Sequence, residues 1–390
     1  MTDFTRPRAG SPVAARSSAR SRRRLGYAGG NAFQRELTRR VDAHFTNTGS
    51  PRRDVAAWYI KAATIFVVTA CTYVALVFFA STWWQAVPLT IVLALAVVGI
   101  GFNVMHDGGH GAVSRHRTIN RLMAYSLDVV GGSSYLWHWK HSVLHHNYAN
   151  ITDQDMDVAL GKLARFTPHQ PRYSHQRWQH WYIWILYGLL ALQWQLIGDF
   201  RTLLTGRLGP HILPRPRGAD LAFLVTGKFV FFTLAFVIPL LLHSVWTFVP
   251  LYLLFGVVLG FVLSVVFQLA HTVQEAEFPD VPAGAQAVDN SWAAHQVQTT
   301  VNFCHGNRIV TWLLGGLNYQ IEHHLFPRIC HSSYPALSPI VKATCEDFGL
   351  AYNEHTSFAA GVRSHFRWLK ELGAGGIANH SVTPASSISQ

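Results

Sequence analysis

At 390 residues the chain is long enough for two soluble domains, but 49% of it is apolar and only 13% charged, about half the ~25% charged share of soluble proteins. That composition points to a membrane and argues against an ordinary soluble fold. The formal charge of +12 with neutral histidines does not call for nucleic acid, because the placement of the cations has a membrane explanation.

Residues 1 to about 53 are rich in Arg, Ser, Ala and Gly, with Arg20, Arg22, Arg23 and Arg24 bunched together. No apolar run follows within the first thirty residues, so the stretch is not read as a signal peptide. It reads as a basic, largely disordered cytoplasmic arm over 1–54, ending in a short helix around Asn31 to His44, where Phe33, Leu37 and Val41 recur at helical spacing. The arm either adheres to anionic lipid or is a solvated tail.

From Ala57 to about Ala80 the chain is almost wholly apolar, long enough at 1.5 Å per residue to cross a core roughly 30 Å thick. Ser81 to Trp84 make an interfacial break, and further spans are expected over about 87–105, 221–242 and 245–269. The turns inside these two hairpins carry no Lys or Arg, whereas the arm, the segment 106–220 and the C-terminal segment carry nearly all of them. The positive-inside rule therefore puts those three segments, both termini and every histidine cluster in the cytoplasm. Trp181 to Phe200 is also apolar but is interrupted by Gln193, Gln195 and Asp199. A crossing there would make the span count odd, so a helix lying in the interface is expected. A shorter interfacial helix is expected over 122–136. Cys71, Cys304, Cys330 and Cys345 form no Cys-x-x-C pair and read as reduced packing residues.

Three histidine clusters sit at the ends of these spans. His106 and His110 are four residues apart, on one face of a helix leaving the bilayer. Asp107 between them can accept a proton from a ligating ring. His141 and His145 repeat the spacing, and His146 is expected to point roughly 100° away from His145, toward a second metal or a second edge of one site. His323 and His324 follow Gln320 and precede Leu325-Phe326-Pro327. His271, preceded by Gln268, ends the fourth span as His106 ends the second. His116, His138, His295, His305 and His331 have weaker claims and read as structural or surface residues. Eight imidazoles exceed what one ion needs, so two metals are expected. Imidazole alone does not choose among Fe, Zn, Cu and Ni. Asp153, Asp155 and Asp157 are rejected as a calcium loop, because Val158 and Ala164 stand where Gly and Glu are required.

His106 to His110, His141 to His146 and Gln320 to Pro327 resemble the three histidine boxes of the membrane fatty acid desaturase superfamily, and Gln-x-x-His-His-Leu-Phe-Pro is similar to the variant in front-end acyl desaturases. The resemblance covers roughly 55–345. It implies a non-haem di-iron centre that uses O2 and two external electrons to remove two hydrogens from an acyl chain, carried as a CoA thioester or a glycerolipid. It also implies box histidines plus His271 as ligands, with Gln320 standing where other relatives carry a histidine. The His-Pro-Gly-Gly haem motif of a fused cytochrome b5 domain does not occur in the sequence. A separate donor, a ferredoxin or an iron-sulfur flavin reductase, is therefore expected, in a bacterial cell membrane.

The fold expected is an all-α, multi-pass integral membrane protein. Four transmembrane helices form two hairpins, and a cytoplasmic helical cap holds the di-metal site. A cytoplasmic helix and a disordered tail are expected over 346–390. Arg115, Arg117, Lys140 and Arg165 are candidates for holding a phosphate-bearing carrier or are solvated interfacial cations. Alternatives are a related di-iron hydroxylase or oxygenase, a zinc-dependent membrane hydrolase, and a metal transporter. The last predicts ligands near mid-membrane.

Overall fold

The computed structural model describes residues 25–282 and 284–375. The arginine-rich start of the arm and the tail after Gly375 lie outside the described residues. Twelve helices carry the architecture: α1 (Ala32–Thr48), α2 (Ala56–Phe79), α3 (Trp83–His110), α4 (Arg117–Val129), α5 (134–148), α6 (Ser174–Thr205), α7 (Ala219–Leu242), α8 (Val245–His271), α9 (Trp292–Gln298), α10 (Gln320–Leu325), α11 (Tyr334–Asp347) and α12 (Phe358–Ala374). The strands described are three two-residue pairs.

Five helices, α2, α3, α6, α7 and α8, are long and apolar enough to cross a membrane. Their outward faces leave Ile60, Phe79, Ile185, Phe229 and Leu241 exposed, as suits helices whose solvent is lipid. Trp84 and Trp246 stand exposed beside the two tight turns after α2 and α7, where indoles prefer the headgroup level. The fifth helix, α6, runs antiparallel along α8. Ser264 meets Tyr187, and further along Gly256 lies against Leu192. Gly260 permits this approach, since a Cβ there would press on the carbonyls of Tyr187 and Gly188. Of the polar residues that interrupt α6, Gln193 is exposed, while the other two are buried and partnered: Gln195 donates to Val130 O at 2.8 Å, and Asp199 pairs with Lys228 of α7 at 2.8 Å.

Beyond the spans, α1 buries Phe33, Leu37, Val41 and Phe45 against α11. This helix extends four residues past the expected end, to Thr48, because Phe45 continues its apolar stripe before Gly49 terminates it at φ 64°. The helix expected over 122–136 is instead two. Gly131, at φ 100°, breaks it between α4 and α5, and Lys228 donates to its carbonyl at 2.6 Å. The main core, which includes Phe102, Phe166, Ile183, Leu269, Phe303 and Leu317, links α3, α6 and α8 to the cap.

Candidate metal centre

The eight histidines expected at a metal lie in one cage, seven of them buried and His110 half-buried. Each pair reaches it by a specific local device. In α3 the winding widens to a π-turn over Ile100–Met105 immediately before His106, a feature frequent at functional sites. Asn103 in that turn donates to Gly99 O and to Leu313 O, both at 3.1 Å, tying α3 to the chain leading into α10. Gly315, at φ 60°, lies so close to Phe102 O that a Cβ would clash. Glu322 anchors α10 from behind, accepting from Asn302 Nδ2 at 2.9 Å and Tyr352 OH at 2.7 Å. Burial pushes its carboxyl up to about 7.

The second cluster departs from expectation. Residues 138–145 are wound as a π-helix, whose i→i+5 hydrogen bonds widen the turn and swing i+5 nearer to the side of i than in an α-helix. His146 therefore turns to the side of His141, their Nε2 atoms 3.2 Å apart, and its Nε2 is 3.0 Å from that of His323. His145 reaches His271 Nε2 at 3.2 Å while its ring stays stacked on His141, centroids 5.2 Å apart. His141 thus meets His145, as its spacing suggested, and His146 as well.

Two groups of donors result. His106, His110, His141 and His323 converge, with His146 joining them. His145, His271 and His324 converge separately, with His146, His323 and His324 at the boundary. Gln320 Nε2 lies 3.0 Å from His271 Nε2, on the second group. Nitrogens 3.0–3.2 Å apart have the spacing of neighbouring ligands at right angles about one ion, which is about 3.0 Å for bonds of ~2.1 Å. Both nitrogens of His106, Nε2 of His110 and Nε2 of His324 are buried without a hydrogen-bond partner among the described residues. Such orphaned nitrogens, gathered in one cage, fit a metal. Burial, reinforced by the neighbouring imidazoles, holds His141, His146, His323 and His324 well below the usual histidine range, so they are neutral, as ligands must be.

The far sides of several rings are held. His145 Nδ1 faces Asp155 Oδ2 at 3.0 Å and Asp157 Oδ2 at 3.6 Å. Burial lowers the affinity of this ring for protons, but the two carboxylates outweigh it and its pKa is raised. His271 Nδ1 donates to Thr299 O at 3.2 Å. Tyr334 OH lies 3.3 Å from His323 Nδ1, and the Gln296 amide 2.9 Å from His324 Nδ1. Trp137 walls one side, stacked on His141 with ring centroids 4.6 Å apart and edge-on to His106 and His110. The Asp-x-Asp spacing shortly after His145 was the available signal for Asp155 and Asp157; Thr299, Gln296 and Tyr334 carry none.

Asp107 lies 3.9 Å from His106 Nδ1, and its hydrogen bonds go instead to His331 and Trp58. His331 is therefore no surface residue. Gln268 lines a small crevice with His145 and His271 and accepts from Thr272 Oγ1 at 2.6 Å. Of the candidate carrier cations, Arg115 and Arg117 are exposed, and Lys140 pairs with Asp157 at 2.6 Å. Arg165 is buried and donates to the carbonyls of Thr167, Leu372 and Pro168.

An apolar cavity of about 850 Å³ lies among α2, α3, α4, α7 and α8. None of the eight histidines lines it. Val130, in its wall, packs on Met105, Leu127 and Trp137, and Trp137 in turn faces the cage.

The sequence matches the family model described as Fatty acid desaturase over residues 81–356. It is 38% identical to the sn-1 linoleoyl-lipid 6-desaturase of Arthrospira platensis over 87% of this chain and 92% of that protein. It is 36% identical to the sn-1 linoleoyl-lipid 6-desaturase of Synechocystis over 90% and 98%. The Acyl-lipid (8-3)-desaturase of Physcomitrium patens is 36% identical over 77% of this chain and 64% of that protein.

Proposed function

The chain belongs to the fatty acid desaturase family, and from that premise we propose that it inserts a cis double bond into an acyl chain esterified in a membrane glycerolipid, at a di-iron centre held by the eight caged histidines. The observation that carries this reading is the convergence of eight imidazoles, seven of them buried and His110 half-buried, into adjoining groups with orphaned ring nitrogens. The relatives matched over nearly their whole length are named for a lipid-borne linoleoyl substrate and for position 6, which favours a glycerolipid over a CoA thioester and the carboxyl side of the chain over its methyl end.

An unactivated methylene offers no acidic proton and no leaving group, and two bound irons with O2 supply the redox chemistry it needs. The balance is one O2, two electrons and two protons consumed, two hydrogens lost from adjacent carbons, and two waters released. The chain's own residues do the rest. Neutral imidazoles leave a high positive charge at the centre. Asp155 and Asp157 make His145 its most electron-rich donor. Trp137, Met105 and Leu127 keep one face of the cage dry. Electrons come from a separate protein, a ferredoxin or an iron-sulfur flavin reductase, in keeping with the absence of a His-Pro-Gly-Gly motif from the sequence.

The cage also supports a topology of four crossings. His110, at the end of α3, and His271, at the end of α8, meet in one cage, so an even number of crossings separates them. Of α6, α7 and α8, only two can cross. Helix α6 carries the polar interruptions, so α6 lies against the bundle without traversing it. The basic segments then face the cytoplasm together with the cage.

The test is a fatty acid profile by gas chromatography and mass spectrometry from a bacterial host supplied with linoleate and a ferredoxin-type donor. A new unsaturated acid should appear in membrane lipids with the wild-type chain and be absent with His323→Ala at equal expression. A hydroxy acid in its place would overturn desaturation.

A further inference from the structure

Helix α2 supplies no imidazole to the cage, yet it buries a charge beside it. Lys61 is only 7% exposed, inside a stretch otherwise apolar enough to span a bilayer, where an ionisable residue needs a partner and a reason. Its ammonium lies 3.1 Å from His331 Nε2. A lysine ammonium can only donate, so Nε2 must accept. Nδ1 is then the ring's donor, and it faces Asp107 Oδ2 at 2.7 Å. Trp58, one turn before Lys61 on the same helix, donates to that same Oδ2 at 3.0 Å. All four side chains are buried.

With Oδ2 taken twice, Asp107 presents its other oxygen to His106, with Oδ1 3.9 Å from Nδ1. No other residue offers a polar partner to His106 among the described residues. A fixed carboxylate on that side favours the tautomer that carries its hydrogen on Nδ1 and turns the Nε2 lone pair toward the cage. We propose that His331 is a positioning residue for the metal held by His106, His110, His141 and His323. Lys61 and His331 hold Asp107, and Asp107 sets the tautomer and aim of His106. Helix α2 thereby takes part in building the centre, and the chain seven residues beyond His324 is coupled to the first histidine pair.

This inference rests on the metal centre proposed above. It predicts a selective effect, because His145, His271 and His324 make no contact with this set. The full chain, purified in detergent and loaded with ferrous iron, is dialysed against a chelator, and retained iron per chain is measured together with the Mössbauer spectrum. The wild type should retain two irons per chain. His331→Ala and Lys61→Met should fall toward about one, with the weakened site losing roughly 10–100-fold in affinity and the spectrum reporting one surviving environment. His331→Asn, which can still donate to Asp107, should recover part of the loss. Wild-type retention in both variants would overturn the positioning role alone, as would loss of both irons together, which is the mark of general unfolding. Should His331→Ala not fold, Lys61→Met carries the same readout. A wild type that retains no iron would overturn the centre itself, and this role with it.

Discussion

The residue most exposed to a quantitative test is Asp155, because its carboxylate touches one ring of the cage and no other. It accepts from His145 Nδ1 and from the backbone of Asn150, each at 3.0 Å. Asp155→Asn keeps the shape and removes the charge. Carboxylates behind metal-bound histidines typically contribute 10–100-fold to metal affinity. Asp155→Asn should therefore weaken iron at the His145, His271 and His324 group by about that factor, leave the other group filled, and lower turnover in proportion to the iron lost. Titration of the purified protein with iron, read as two separate binding phases, checks this; unchanged affinity in both phases would mean that Asp155 only orders the 150–157 loop. At this scale much was legible beforehand. The eight histidines announce themselves, since paired imidazoles at span ends have no packing rationale. His331 was not legible, because its partners Lys61 and Asp107 are more than two hundred residues away in sequence and nothing local distinguishes it from a surface histidine.

At the scale of elements, helical spacing located the second cluster but missed one of its contacts. Counting 3.6 residues per turn puts His141 with His145, which stack 5.2 Å apart, and over the π-wound stretch 138–145 His141 also meets His146. No composition rule marks a π-turn in advance; it is imposed by the demand that several rings aim at one point. The link between α3 and α10 was also hidden, although a Gly-Gly pair before the third cluster was visible. Gly315 serves there as a contact point, in a left-handed conformation with Phe102 O against its Cα. Gly315→Ala adds a strained backbone worth roughly 1–2 kcal/mol and a clash that must push α10 away from α3. The expected result is a lower unfolding temperature in detergent and loss of iron, without loss of membrane insertion. Gly349→Ala, also at positive φ but with open space around its Cα, should show the backbone cost alone and keep its iron, so comparing the two separates strain from displacement.

For the whole molecule, the joint between α6 and α7 rests on Lys228 and Asp199, a buried pair that also holds the Gly131 carbonyl between α4 and α5. Removing one partner strands a charge, at about 3–5 kcal/mol. Lys228→Met should accordingly lower the unfolding temperature sharply, and adding Asp199→Leu should restore most of it, measured by thermal unfolding in detergent. Asp199 turns inward to Lys228 whichever way α6 lies, so the pair leaves the crossing of α6 to a direct test. The four-crossing arrangement requires that the 206–218 segment share a side with the cage, opposite the turns after α2 and α7. Single cysteines at Ser81, Arg217 and Ser244, in a chain with its native cysteines replaced, decide this in spheroplasts with a membrane-impermeant maleimide. Ser81→Cys and Ser244→Cys should react in intact spheroplasts and Arg217→Cys only after lysis. Labelling of Arg217→Cys from outside would mean that α6 crosses. Since α3 and α8 end in one cage, such a crossing would force α7 or α8 to re-enter from the side it left, and the two hairpins would no longer be equivalent.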